Sequence, residues 1–222
     1  MKKLLTALTA LTLSLIADAG SPYVCDKAGS KLHYQRTEVE SGKVVWNHVL
    51  EVKSIESSAE GKVAKCTSTF TRKNGKKVFD PVNYEARIDA SGNVTTDISG
   101  TMKAVLAGFF PNADIEAEAC WSTLPASLTP GDVLPDAHSR MSAIGQKMTI
   151  DITERKVLRF EALTTPAGTF DCVVVTEKKK ERYGIIKRDT VSETWYSRAV
   201  GMVRHDTWKN GKRETTEVLL SR

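Results

Sequence analysis

The sequence predicts a mainly β protein: a single strongly curved antiparallel sheet, half-barrel or barrel-like, with one short amphipathic helix. Three observations carry that expectation. Val82, Tyr84, Ala86 and Ile88 alternate with Asn83, Glu85, Arg87 and Asp89, so one strand face is dry and the other wet, as in an antiparallel sheet covered on one side. From Thr165 to Leu220, four short runs rich in Val, Thr, Phe and Trp are separated by Gly-bearing breaks and close with the hairpin pair Asn210-Gly211. The strands expected along the whole chain number about ten to twelve, and a sheet of that size must curl or close because long open edges aggregate.

Residues 1–19 open with Lys2 and Lys3, continue through the weakly apolar run LLTALTALTLSLIA and end at Ala17-Asp18-Ala19. A basic start, a short apolar core and an A-x-A site predict a secretory signal peptide, and the run is too short and Thr-rich for a membrane span. The residues before Cys25, Ser21-Pro22-Tyr23-Val24, lack the small-residue pattern of a lipidation site. The expected product is an exported chain, periplasmic or extracellular, with one β-rich domain over residues 20–222 and no transmembrane span once the leader is removed. A formal charge of +5 over 222 residues is only mildly basic.

Cys25, Cys66, Cys120 and Cys172 are the four cysteines. An even number in an exported chain predicts two disulfides, with three possible pairings left open. Their wide spacing argues against zinc, whose ligands usually come from close C-x-x-C knuckles. Closing loops of this length would contribute roughly 3–4 kcal/mol each.

In Val44 to Val52, period-two geometry places Val44, Trp46, His48, Leu50 and Val52 on one face, with Trp46 and Leu50 toward the core. His48 there reads as a hydrogen-bonded core residue rather than a ligand. Ala64, Cys66 and Phe70 line up similarly in the next strand, and Lys73-Asn74-Gly75-Lys76 marks a tight turn. After the strand at 82–89, Ser91-Gly92-Asn93 turns the chain into Val94 to Ile98. Between Thr101 and Phe110, Met102, Val105, Leu106, Phe109 and Phe110 fall at i, i+3, i+4, i+7 and i+8, and Pro111 follows. That is the stripe of a short helix. It would plug an open end or face of the sheet, or act as a movable lid over an apolar cavity. Ile115 to Trp121 reads as a strand and Leu124 to Asp132 as a turn-rich connector. Strands resume with Met148, Ile150 and Ile152, then with Leu158, Phe160 and Ala162 alternating with Arg159 and Glu161.

TTPAGTFDCVVV at 164–175, ETWYSRAVGMVRHDTW at 193–208, KNGK at 209–212 and TEVLLS at 216–221, with the connector LPASLTPGDVLPDA at 124–137, resemble the TapB-like proteins related to the larger DUF3108 group of exported bacterial proteins. The resemblance covers about half of the chain beyond the leader. It implies a strongly curved antiparallel sheet with a helical element, similar to the half-barrel carriers of lipoproteins. It implies no reaction and supplies no catalytic residues, and fold by itself does not license lipid carriage.

No G-x-S-x-G elbow, H-E-x-x-H helix, P-loop or G-x-G-x-x-G turn occurs. His33, His48, His138 and His205 are scattered, and His205-Asp206 would point to opposite faces of a strand. The expectation is a protein that is not an enzyme and needs no cofactor or metal. Cations cluster at Arg72-Lys73 with Lys76-Lys77, at Lys178 to Lys180 with Arg182, at Lys187-Arg188, and at Lys209 with Lys212-Arg213. On hairpin tips such lysines serve as solubilisers and edge gatekeepers. Converging at one end, they could dock an anionic headgroup, a polysaccharide or a glycolipid. Nucleic acid is not an expected partner, because aromatics do not interleave with these cations.

Two readings of function remain. In the first, the concave sheet binds a lipid-like or other hydrophobic ligand in a groove lined by Trp46, Leu50, Tyr84, Ile88 and Phe160, under a helix presenting Met102, Leu106 and Phe109. In the second, the interior is packed, as aromatics at only 7% favour, and the chain is an envelope assembly or adhesion component acting through protein contacts on its surface.

Overall fold

The structure, a computed structural model, describes residues 20–109, 114–143 and 145–222. The expected signal peptide, and the Phe110 and Pro111 end of the expected helix, lie outside the described residues.

Thirteen antiparallel strands form one sheet. In chain order they are β1 (Lys31–Glu38), β2 (Val44–Ser58), β3 (Gly61–Thr71), β4 (Val82–Asp89), β5 (Val94–Asp97), then the helix α1 (Ser99–Phe109), β6 (Ile115–Ala117), β7 (Trp121–Leu124), β8 (Ala137–Ala143), β9 (Gln146–Thr165), β10 (Gly168–Tyr183), β11 (Ile186–Ser197), β12 (Gly201–Lys209) and β13 (Lys212–Ser221). Across the sheet the order is β6, β8, β9, β10, β11, β12, β13, β1, β2, β3, β4, β5, β7. Most neighbours are joined by hairpins, which is why local alternation and turn chemistry anticipate most of the ladder. Asn210 and Gly211, at φ 52° and 76°, take the two left-handed positions that a type I′ turn requires.

The two margins of the sheet, β6 and β7, are successive in the chain, with residues 118–120 alone between them. Three residues reach roughly 10 Å or little more, so the sheet must curl until its margins face each other. The Glu118 amide donates to the Arg140 carbonyl at 2.9 Å on one side, and the Ile98 amide to the Cys120 carbonyl at 2.9 Å on the other. The wall is therefore nearly a barrel, with a seam instead of a complete ladder. Ile115 to Trp121 is accordingly not one strand, as period-two reading suggests. It splits because its halves belong to opposite margins.

Arg155 pins the seam. It is 1% exposed and reaches from β9 to the Pro135 carbonyl (2.8 Å), Ser122 Oγ (3.0 Å) and the Thr123 carbonyl (3.4 Å). Its Nε lies 3.4 Å from Glu177 Oε2 on β10.

One end of the curled sheet is capped by α1. Leu106, with Met102, joins Met141, Met148 and Ile150 in a separate apolar cluster. The other end is closed by the N-terminal segment, whose Ser21 and Pro22 carbonyls are held by Arg198 (2.7 Å) and the Ala199 amide (2.8 Å). Arg198 also lies over the Tyr23 ring at 4.5 Å.

The disulfide expectation is overturned. All four cysteines are free and buried, Cys25, Cys66 and Cys172 in the main core and Cys120 in the helix-side cluster. They behave as small apolar side chains, and burial pushes the thiols of Cys66 and Cys120 up to about 11 and that of Cys172 up to about 12.

Candidate functional site

The concave face encloses a partly open cavity of about 620 Å3. Its wall has two chemically distinct sectors. The strands β2 to β5, together with α1 and β9, present apolar and aromatic side chains. The strands β10 to β13 and β1 add Glu177, Lys179, Glu181, Arg188, His205, Glu217 and Arg36 to apolar lining residues such as Tyr34, Tyr196 and Met202.

Of the residues expected to line a groove, Trp46, Leu50, Tyr84, Met102 and Leu106 do so. Ile88 is buried in the core but is not part of the lining. Phe109 is the last residue of α1, and its side chain lies outside the described residues. Phe160 is misplaced by the period-two reading: it is 54% exposed on the outer face. The reason is local. Met148, Ile150 and Ile152 point inward, but Glu154 adopts φ 53° and the ladder to β10 shifts register between Lys178 and Thr176. This irregularity resets the alternation, so Arg155 and Val157 turn inward and Leu158 and Phe160 turn out.

The polar sector centres on Glu217, 5% exposed. His48 Nδ1 lies 3.0 Å from Glu217 Oε1, and His48 Nε2 lies 3.0 Å from Ser68 Oγ. Arg36 Nη1 donates to Glu217 Oε2 at 3.4 Å, and its Nη2 donates to Thr207 Oγ1 (3.0 Å) and Thr215 Oγ1 (2.7 Å). Burial pushes the Glu217 carboxyl upward, but the hydrogen bond from His48 and the nearby cations outweigh it and hold it below the usual carboxylate range. His205 bonds Thr194 Oγ1 through Nδ1 at 2.8 Å and Thr207 Oγ1 through Nε2 at 3.2 Å. Burial, with repulsion from Arg36, drives its pKa down to about 4, so it is neutral at pH 7. The Arg36 and Glu217 charges thus face each other with two imidazoles beside them. His48 is also sandwiched between aromatic rings, 5.1 Å from Tyr34 and 4.3 Å from Phe70. Arg36 lies 5.1 Å from the Trp46 ring centroid, where the two sectors meet.

His48 is a hydrogen-bonded interior residue, as the strand pattern suggests, and Asp206 turns away from His205 to bond Arg204, Arg213 and Thr216. The inward charges escaped sequence reasoning because the stretch of β11 beside them alternates polar with polar: Thr190, Ser192 and Thr194 are all buried, and no apolar stripe marks their face. A period-two search for buried hydroxyls would have found them.

The fold and cavity define a class: a curled antiparallel sheet, open along one seam, around a mainly apolar interior with one charged sector. The chain belongs to the DUF3108-like family, whose model matches residues 27–220. It is similar in fold to a lipoprotein candidate from Parabacteroides distasonis, with TM-score 0.78 and 18% identity, covering 90% of this chain and 98% of that one. It is also similar to an exported-protein candidate with a YmcC-like fold from Bacteroides fragilis, with TM-score 0.75 and 19% identity over 90% and 98% of the two chains. No curated protein matches the chain at a significant level.

Proposed function

We propose that the chain is an exported, non-enzymatic protein of the cell envelope that holds an amphiphile in its concave cavity, an apolar tail against β2 to β5 and α1, and a polar head toward β10 to β13 and β1. The observation that carries this reading is the cavity's volume of about 620 Å3, within the usual range of roughly 300–1,000 Å3 for small-molecule sites, together with a mainly apolar wall that carries charged groups on one side. The Arg36–Glu217–His48 network, extended by Ser68 Oγ at 3.0 Å from His48 Nε2, fits recognition rather than chemistry, since its charges are already paired and Ser68 is only 3% exposed. Export is supported by the leader-like residues 1–19 and by the descriptions of the two similar structures. A second expectation, a surface-acting component with a filled interior, sits less well with a cavity of this size.

The test is native mass spectrometry of protein purified from its host, with a hydrophobic dye as competitor. A co-purifying amphiphile, lost in an Ile150→Trp variant that fills the apolar half, is the expected result. A clean unliganded mass with no dye binding overturns the reading.

A further inference from the structure

An antiparallel ladder puts alternate hairpins at the same end, and here that places three cationic loops together. The segment Arg72–Lys77 follows β3, Lys180–Arg188 surrounds the β10–β11 tip, and Lys209–Arg213 surrounds the β12–β13 tip. All lie at the end capped by α1, since Thr71 pairs near the start of β2, Glu38 pairs with Thr215, and Tyr183 pairs with Met148 beside the helix cluster. Of the loops at the opposite end, 58–61, 89–94 and 165–168 carry Glu60 and Asp89 and no Lys or Arg, and the β11–β12 loop adds only Arg198, which donates to the Ser21 carbonyl. The molecule therefore has a positive end.

At that end, the two-residue loop Gly184-Ile185 projects its side chain into water: Ile185 is 97% exposed and Ile186 60%. Gly184, at φ 52°, supplies the left-handed turn position. Elsewhere Val133 is exposed singly, and Phe160 lies with Leu158 on the outer face of β9, away from any turn; scattered exposure of this kind is ordinary for a protein surface. Two adjacent aliphatic side chains on a hairpin tip, inside a ring of Lys180, Arg182, Lys187 and Arg188, are a different arrangement. Arg182 is held by Asp189 (2.5 Å) and Arg188 by Glu181 (3.3 Å) and Glu214 (2.5 Å). Lys180 and Lys187 reinforce the positive field around Asp189, whose carboxyl is held low chiefly by the Arg182 hydrogen bond.

We propose that this end docks on an anionic phospholipid bilayer, with Ile185 and Ile186 entering the acyl boundary and the surrounding lysines and arginines resting on the headgroups. Charge complementarity selects the anionic surface, and the aliphatic tip selects a bilayer over a soluble polyanion. Arg182, Tyr183 and Arg188 also line the cavity, so the docked end would include part of its wall. The inference does not rest on the cavity being filled.

The test is co-sedimentation of the purified protein with vesicles of phosphatidylcholine alone and of phosphatidylcholine mixed with phosphatidylglycerol. Binding to the mixed vesicles only, weakening at high salt, is expected. Ile185→Ser with Ile186→Ser should lower the partition coefficient by about 10- to 100-fold, and Lys180→Ser with Lys187→Ser by roughly tenfold. Both pairs alter only exposed side chains near the β10–β11 tip, and an unchanged circular dichroism melt confirms folding. In an Ile185→Trp variant, brominated lipids should quench the added fluorescence. Failure to bind mixed vesicles overturns the proposal. So does binding that survives the isoleucine substitutions, or equal competition by dextran sulfate, which would make the end a polyanion site.

Discussion

Replacing Arg155 by Met removes the side chain that ties β9 to β7 across the seam. Two well-formed charge-assisted hydrogen bonds are lost, to the Pro135 carbonyl at 2.8 Å and to Ser122 Oγ at 3.0 Å, each worth about 1.5–3 kcal/mol. A Met of similar length restores some packing, but Glu177, whose side chain is 19% exposed, loses its cationic neighbour and keeps only the Ser192 hydroxyl at 3.3 Å. Breaking a buried pair by removing one member costs about 3–5 kcal/mol. With a urea slope of about 2 kcal/mol per molar, the unfolding midpoint should fall by roughly 2 M. Arg155→Lys keeps the charge but not the planar fork that reaches three acceptors, so it should recover less than half of the loss. The assay is equilibrium urea unfolding followed by circular dichroism. A loss under about 1 kcal/mol for Arg155→Met, or full recovery by Lys, would refute the assignment of Arg155 as the pin of the seam.

Three further outcomes are expected. The four cysteines should react with Ellman's reagent only slowly in the native protein, yet give four thiols per chain when unfolded without reductant; an unfolded chain with none would restore the disulfide frame. The folded pKa of His205, about 4, lies below its unfolded value of about 6.5, so its contribution is intact above pH 6.5 and is lost as pH falls from there toward 4. That amounts to roughly 3 kcal/mol, and His205→Gln should flatten the stability profile in that window, as pH-dependent urea midpoints will show. Gly61→Ala places a Cβ 2.0 Å from the Ile88 carbonyl at φ 138°; it should cost more than about 2 kcal/mol, measured as a lowered melting temperature.

The strands legible in the sequence are those whose two faces differ in polarity. Val82 to Ile88 and Trp46 to Val52 announce themselves because one face is oily, and the helix at Ser99–Phe109 because Met102 and Leu106 recur at helical spacing. β1 and β8 were not anticipated, since Lys31–Glu38 and Ala137–Ala143 mix polar side chains into both faces. Within the site, the apolar lining Trp46, Leu50, Tyr84, Met102 and Leu106 was legible for the same reason. Phe160 went to the wrong side because Glu154 resets the count within β9, and nothing in a two-residue period signals where a ladder slips. The cysteines misled because their number and an exported context are compositional cues, whereas a bridge is a matter of distance.

The amino-acid order alone determines that this chain alternates, turns at its Asn-Gly and Gly-bearing breaks and builds an antiparallel wall, because those are interactions between near neighbours. That the wall curls until β6 meets β7, that Arg155 holds the seam, and that Arg36, His48, His205 and Glu217 converge on one cavity are decisions of the tertiary structure. They join residues far apart in the chain, such as His48 and Glu217, whose pairing depends on the registers that seat β1 between β2 and β13.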